Sequence, residues 1–158
     1  VDPSFTKKRQ AIVGLLHEEE KLMEIVKLIG SDVLPDEQKL VIEICRVIRV
    51  GFLQQNAFHK DDTFVSLEKQ LKMMEVILYL YDKVKGLVMK GTPISSVLET
   101  GLFDKIVKMK YDIPGDKLEL FDDYKLDIEL ELAKVYVPET QEGSAPGAQA
   151  PQKGDDLS

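Results

Sequence analysis

Gly86 and Gly91 stand at the spacing of a phosphate-binding loop, whose backbone would cradle the phosphates of a nucleotide. The chemistry fails at the next residue. Such a loop needs a lysine after its second glycine, and Thr92-Pro93 follow Gly91 instead. A helical apolar pattern precedes Gly86 where a strand would be required. Gly91 therefore reads as a helix-ending glycine followed by a new cap. Metal chemistry is no better supplied. His17 and His59 are the only histidines, and neither HExxH nor a pair of Glu-x-x-His motifs occurs, so no zinc or di-iron donor set is predicted. His17 adjoins Glu18, Glu19 and Glu20 and reads as part of a solvated face. Cys45 falls on a predicted apolar face and reads as a small core residue. Nothing in the spacing supports pairing it with His59 as a nucleophile. No catalytic residue and no metal ligand is predicted.

Two stretches rise above this background. One is the helix–turn–helix Leu22–Phe52, with IGSDVLPDEQKL at its tip. The other is GFLQQNAFHKDDTFVSLEKQ, from Gly51 to Gln70. Glutamine and asparagine amides can pair with a purine edge, and Phe58 offers a ring for stacking. The residue types alone favour a plainer role. In it Phe58 and Phe64 fill a gap between two helices, and Gln54, Gln55 and Asn56 cap the second.

The elements that must carry these stretches are helices. Asp2-Pro3 can open the first, and Ile12, Leu15, Leu16, Leu22, Met23, Val26 and Ile29 recur at three- and four-residue steps. Gly30 sits where a C-terminal cap belongs, so the first helix is predicted over Pro3–Ile29. Gly30–Glu37 is a turn, with Pro35, Asp36 and Glu37 suited to a new helix start. Leu40, Val41, Ile44, Cys45, Val47, Ile48 and Phe52 give the second helix one apolar face, and the short connection makes an antiparallel hairpin. Gln54–Val65 breaks the pattern. Ser66 can cap a third helix, along which Leu67, Leu71, Met74, Leu78, Tyr81 and Val88 run to about Lys90. Ile94–Lys110 reads as one or two short helices interrupted near Gly101. A last helix over Asp116–Tyr136 places Leu120, Tyr124, Ile128, Leu132 and Val135 on one side. No internal repeat and no alternating strand is evident. The expected fold is all-α, a bundle of five or six helices built on the hairpin.

Composition bounds what such a bundle can be. The 158 residues are 44% hydrophobic and 31% charged, enough for one packed domain over residues 1–136. From Pro138 on, the chain is rich in Pro and Gly with one large apolar residue, Leu157, and residues 137–158 are expected to be a disordered tail. No apolar run approaches a membrane span, so no direct insertion is expected, and the N-terminus lacks the apolar core of a signal peptide. The single cysteine rules out a disulfide within the chain. Net charge is −7, concentrated in 112–158, which carry twelve acidic and four basic side chains. That balance argues against nucleic acid. The second helix agrees, setting Lys39, Arg46 and Arg49 against Asp36, Glu37 and Glu43.

Four pieces, in order, resemble the C-terminal helical domain of the catalytic A subunit of archaeal A-type ATP synthases and related V-type ATPases. They are LLHEEEKLMEIVKLIGSDVLPDEQ, FLQQNAFH, DTFVSLEKQ and MMEVILYLYDK. The resemblance covers roughly Val1 to Tyr136. Two positions depart from the family pattern. Val50-Gly51 stand where an acidic pair is common, and Asp61 stands where a hydrophobic residue does. Gly51 costs about 1 kcal/mol of helix propensity against alanine, so the second helix is expected to end early.

The resemblance implies that the chain is the last domain of a longer polypeptide whose catalytic groups lie upstream. It implies that FLQQNAFH closes the adenine side of the nucleotide pocket. Phe58 would pack on the base with Ala57 beside it, and Gln55 and Asn56 would line the pocket. It implies that the tip Gly30, Ser31, Asp32, Val33, Leu34, Pro35, Asp36 and Glu37 faces a central rotor. The implied ligands are ATP or ADP with Mg²⁺, bound by the whole complex and not tightly by this chain. The implied partners are the ATP synthase B subunit, together with the D and F subunits of the central stalk, at the cytoplasmic face of a membrane. By itself the chain is expected to be monomeric and catalytically inactive. The competing reading is a free-standing helical protein–protein interaction module. A parent reading frame with GxxxxGK[ST] upstream separates the two.

Overall fold

The computed structural model describes residues 3–53 and 66–135, and within them the chain forms seven α-helices and no strand. Helix α1 spans Pro3–Ile29 and α2 Asp36–Val47, continued by a π-helical turn over Ile48–Leu53. Helix α3 spans Leu67–Met89, α4 Ile94–Leu98, α5 Leu102–Val107, α6 Met109–Asp112 and α7 Phe121–Val135. The expectations for Gln54–Val65 and for the tail 137–158 lie outside the described residues.

Helix ends follow local chemistry. Gly30 leaves α1 with φ 86°, and its N–H bonds Val26 O at 2.9 Å. Ser66 caps α3, its Oγ accepting from the Lys69 N–H at 3.1 Å. Helix α3 closes with a Schellman motif: the Thr92 N–H reaches Leu87 O, the Gly91 N–H reaches Val88 O, and Gly91 takes φ 99°. The glycine pair at phosphate-loop spacing is thus a helix interior and a helix stop.

The hairpin and α3 make the core. All the apolar positions expected to face inward on α2 are buried except Phe52, which is half-buried. Ile12, Leu15 and Leu22 of α1 are buried, whereas Ile29 is 63% exposed because α1 outruns the body of the bundle. On α3 the deepest residues are Met73, Met74, Val76, Ile77, Leu80 and Val84; of the expected row only Met74 is among them, Leu71, Leu78, Tyr81 and Val88 being half-buried and Leu67 70% exposed. Helix α3 packs on α1, α2 and α7 together. A helix enclosed on three sides has two apolar rows, and spacing alone selects either.

The remaining differences are local. Residues 94–112 form three short helices, where one or two were expected, since Lys108 adds a second break to the left-handed turn at Gly101. The last helix starts at Phe121 after a 3₁₀ turn, Leu118–Leu120, because Lys117 is non-helical at φ −122°, ψ 51°. Helix α2 gives way early, at Val47, as the Gly51 penalty suggested. Packing explains the glycine: a Cβ there would lie 3.0 Å from Val107 Cα and 3.1 Å from Val107 O.

Candidate functional site

The hairpin tip is two surfaces rather than one. Gly30, Ser31, Asp32 and Val33 are exposed, Val33 at 57%. Leu28, 85% exposed, and Ile29 extend this patch along α1. The stretch IGSDVLPDEQKL read from the sequence as the tip includes Ile29 but leaves out Leu28, although two apolar residues directly before a turn glycine are a readable signal. The other half of the tip serves the fold. Leu34 is buried in the core, and Pro35 starts α2. Asp36 Oδ2 accepts the Ile94 N–H at 3.0 Å, capping α4 from across the bundle. Glu37 faces Lys85 of α3 at 3.7 Å.

The body of the hairpin is stiffened by a polar seam. Buried Glu19 on α1 pairs with Arg49 in the π turn, an ion pair that orders the end of α2 against the middle of α1. Beside it the Cys45 Sγ–H donates to Leu15 O at 3.3 Å. Burial, reinforced by the Glu19 carboxylate, pushes the Cys45 thiol up to about 12. A thiol so held is no nucleophile. A second seam gathers Lys8 of α1 and Lys125 of α7 around Glu75 of α3, at 3.8 and 3.5 Å.

Gln55, Asn56, Ala57 and Phe58 lie outside the described residues, so what the structure defines is the frame on either side of them. Phe52 and Leu53 end the near flank. On the far flank, buried Lys69 extends its ammonium to Lys110 O and Ile113 O, 2.8 Å from each. Those carbonyls sit at the negative end of α6, where a cation is favoured. Nothing in the sequence singles out Lys69, because an isolated lysine near a helix start reads as solvated. Between the two flanks opens a cleft of about 410 Å³. Phe5, Arg9 and Leu16 line it from α1, Phe52 and Leu53 from the π turn, and Gln70 and Met73 from α3. The lining is mostly apolar, with Arg9, Gln70 and Lys110 as its polar members. Among the described residues no group of three or more His, Cys, Asp or Glu could hold a metal ion, and no helix is long and apolar enough to cross a membrane.

Residues 1–98 match the family described as the C-terminal domain of V and A type ATP synthase. The chain is 46% identical, over 82% of its length, to the V-type ATP synthase alpha chain of Halothermothrix orenii. It is 48% identical, over 70% of its length, to V-type ATP synthase alpha chain 2 of Clostridium tetani. It is 37% identical, over 86% of its length, to the A subunit of the A-type ATP synthase of Thermococcus sp. strain KI. The chain spans about a fifth of the length of these relatives, 22%, 19% and 23% respectively.

Proposed function

The chain belongs to the family of C-terminal domains of V and A type ATP synthases, and from that premise we propose that it is the non-catalytic, coupling domain of the nucleotide-binding subunit of a rotary ATP synthase. Residues Gln55, Asn56, Ala57 and Phe58 form the adenine wall of the nucleotide site. Ring stacking and amide contacts hold the base there while the phosphates react elsewhere. ATP or ADP and Mg²⁺ are bound by the rest of that larger polypeptide. This sequence has no GxxxxGK[ST] loop to seat a triphosphate.

The hairpin tip is the contact with the D and F subunits of the central stalk, and the B subunit completes the nucleotide interface. The assembly sits peripherally on the cytoplasmic face of a membrane and couples ATP synthesis or hydrolysis to proton transport. The observation that carries this reading is the exposed apolar patch Leu28, Ile29 and Val33 at the end of a hairpin whose base is fully packed. A packed helix pair resists shear, so a force applied at the tip displaces the domain as a body.

The test is charge at the tip. In the assembled complex, Asp32→Lys combined with Val33→Asp should lower ions moved per ATP hydrolysed and leave the KM for ATP unchanged. Undiminished coupling in that variant would overturn the tip assignment. The isolated chain should show no ATPase activity, and by calorimetry no nucleotide affinity at the micromolar level. A micromolar dissociation constant would overturn the division of labour.

A further inference from the structure

We draw no further inference here: the strongest candidate, the apolar groove of about 810 Å³ between the first half of α1 and the start of α3, lined by Phe5, Val13, Leu67 and Leu71, carries none, because nothing in the structure shows what covers it.

Discussion

The hairpin and the α4–α6 segment are both helical, and they are held in shape by opposite means. Helices α1 and α2 are 27 and 12 residues long, with periodic apolar faces that pack on each other and on α3. Helices α4, α5 and α6 have five, six and four residues. Pieces that short do not form alone, because nucleation costs more than a turn or two returns. Their stability comes from burial of Ile94, Val97, Leu102, Phe103, Ile106 and Met109, and from groups lent by other helices: Asp36 at the start, Lys69 at the end. The hairpin therefore keeps its shape while its tip is pushed. The short segment takes its shape from its neighbours and follows them.

Truncating the short segment should be the most damaging change. Phe103 is 2% exposed, and Phe103→Ala should cost about 3–5 kcal/mol in urea unfolding of the chain. A loss under about 1 kcal/mol would mean that α4–α6 is not integral to the core. Gly51→Ala comes next. The new methyl must move the Val107 backbone, which should cost about 1–3 kcal/mol, and a neutral result would show the approach to α5 to be loose.

Alkaline pH tests the hairpin instead. Cys45 is held protonated to about 12 in the fold, against an ordinary value of 9.0. Between those values the native state binds more protons than the unfolded chain, so stability is full below about pH 9 and falls as pH rises. The loss should reach about 1–2 kcal/mol by about pH 10.5. Tyr124, pushed to about 12 chiefly by burial, adds to it in the same direction. Cys45→Ala should flatten the profile, and an unchanged slope would clear the thiol of any part in it.

Asp36→Ala removes a cap from α4 and should cost about 1 kcal/mol. Asp32→Lys, four residues away at the exposed tip, should stay within about 0.5 kcal/mol by the same measurement. Leu28→Ala should do likewise, since Leu28 is 85% exposed. Equal losses at positions 32 and 36 would erase the division of the tip into a free half and a structural half.

Much of this molecule is legible in advance, for identifiable reasons. The bounds of α1, the cap at Ser66, the stops at Gly30 and Gly91, and the break at Gly101 all rest on the backbone preferences of single residues, which do not depend on the rest of the fold. The buried face of α2 follows from periodicity because that helix meets the core on one side. The row expected on α3 is largely displaced, Met74 alone of it being fully buried, because three neighbours enclose that helix. Sequence locates the tip correctly as a turn but treats it as uniform. Leu34 turns into the core, and Asp36 reaches a partner 58 residues away; residue type does not disclose either.

Local sequence by itself determined the helices, their punctuation and the family signature FLQQNAFH with SLEKQ, since each depends on neighbours within a few positions. Only the tertiary structure decided why Gly51 must lack a side chain and why Lys69 is buried. The first answer is a backbone 56 residues away, and the second is a pair of carbonyls 41 and 44 residues away. Steric approach and the satisfaction of a desolvated charge are properties of who is near in space, and chain spacing carries no record of them.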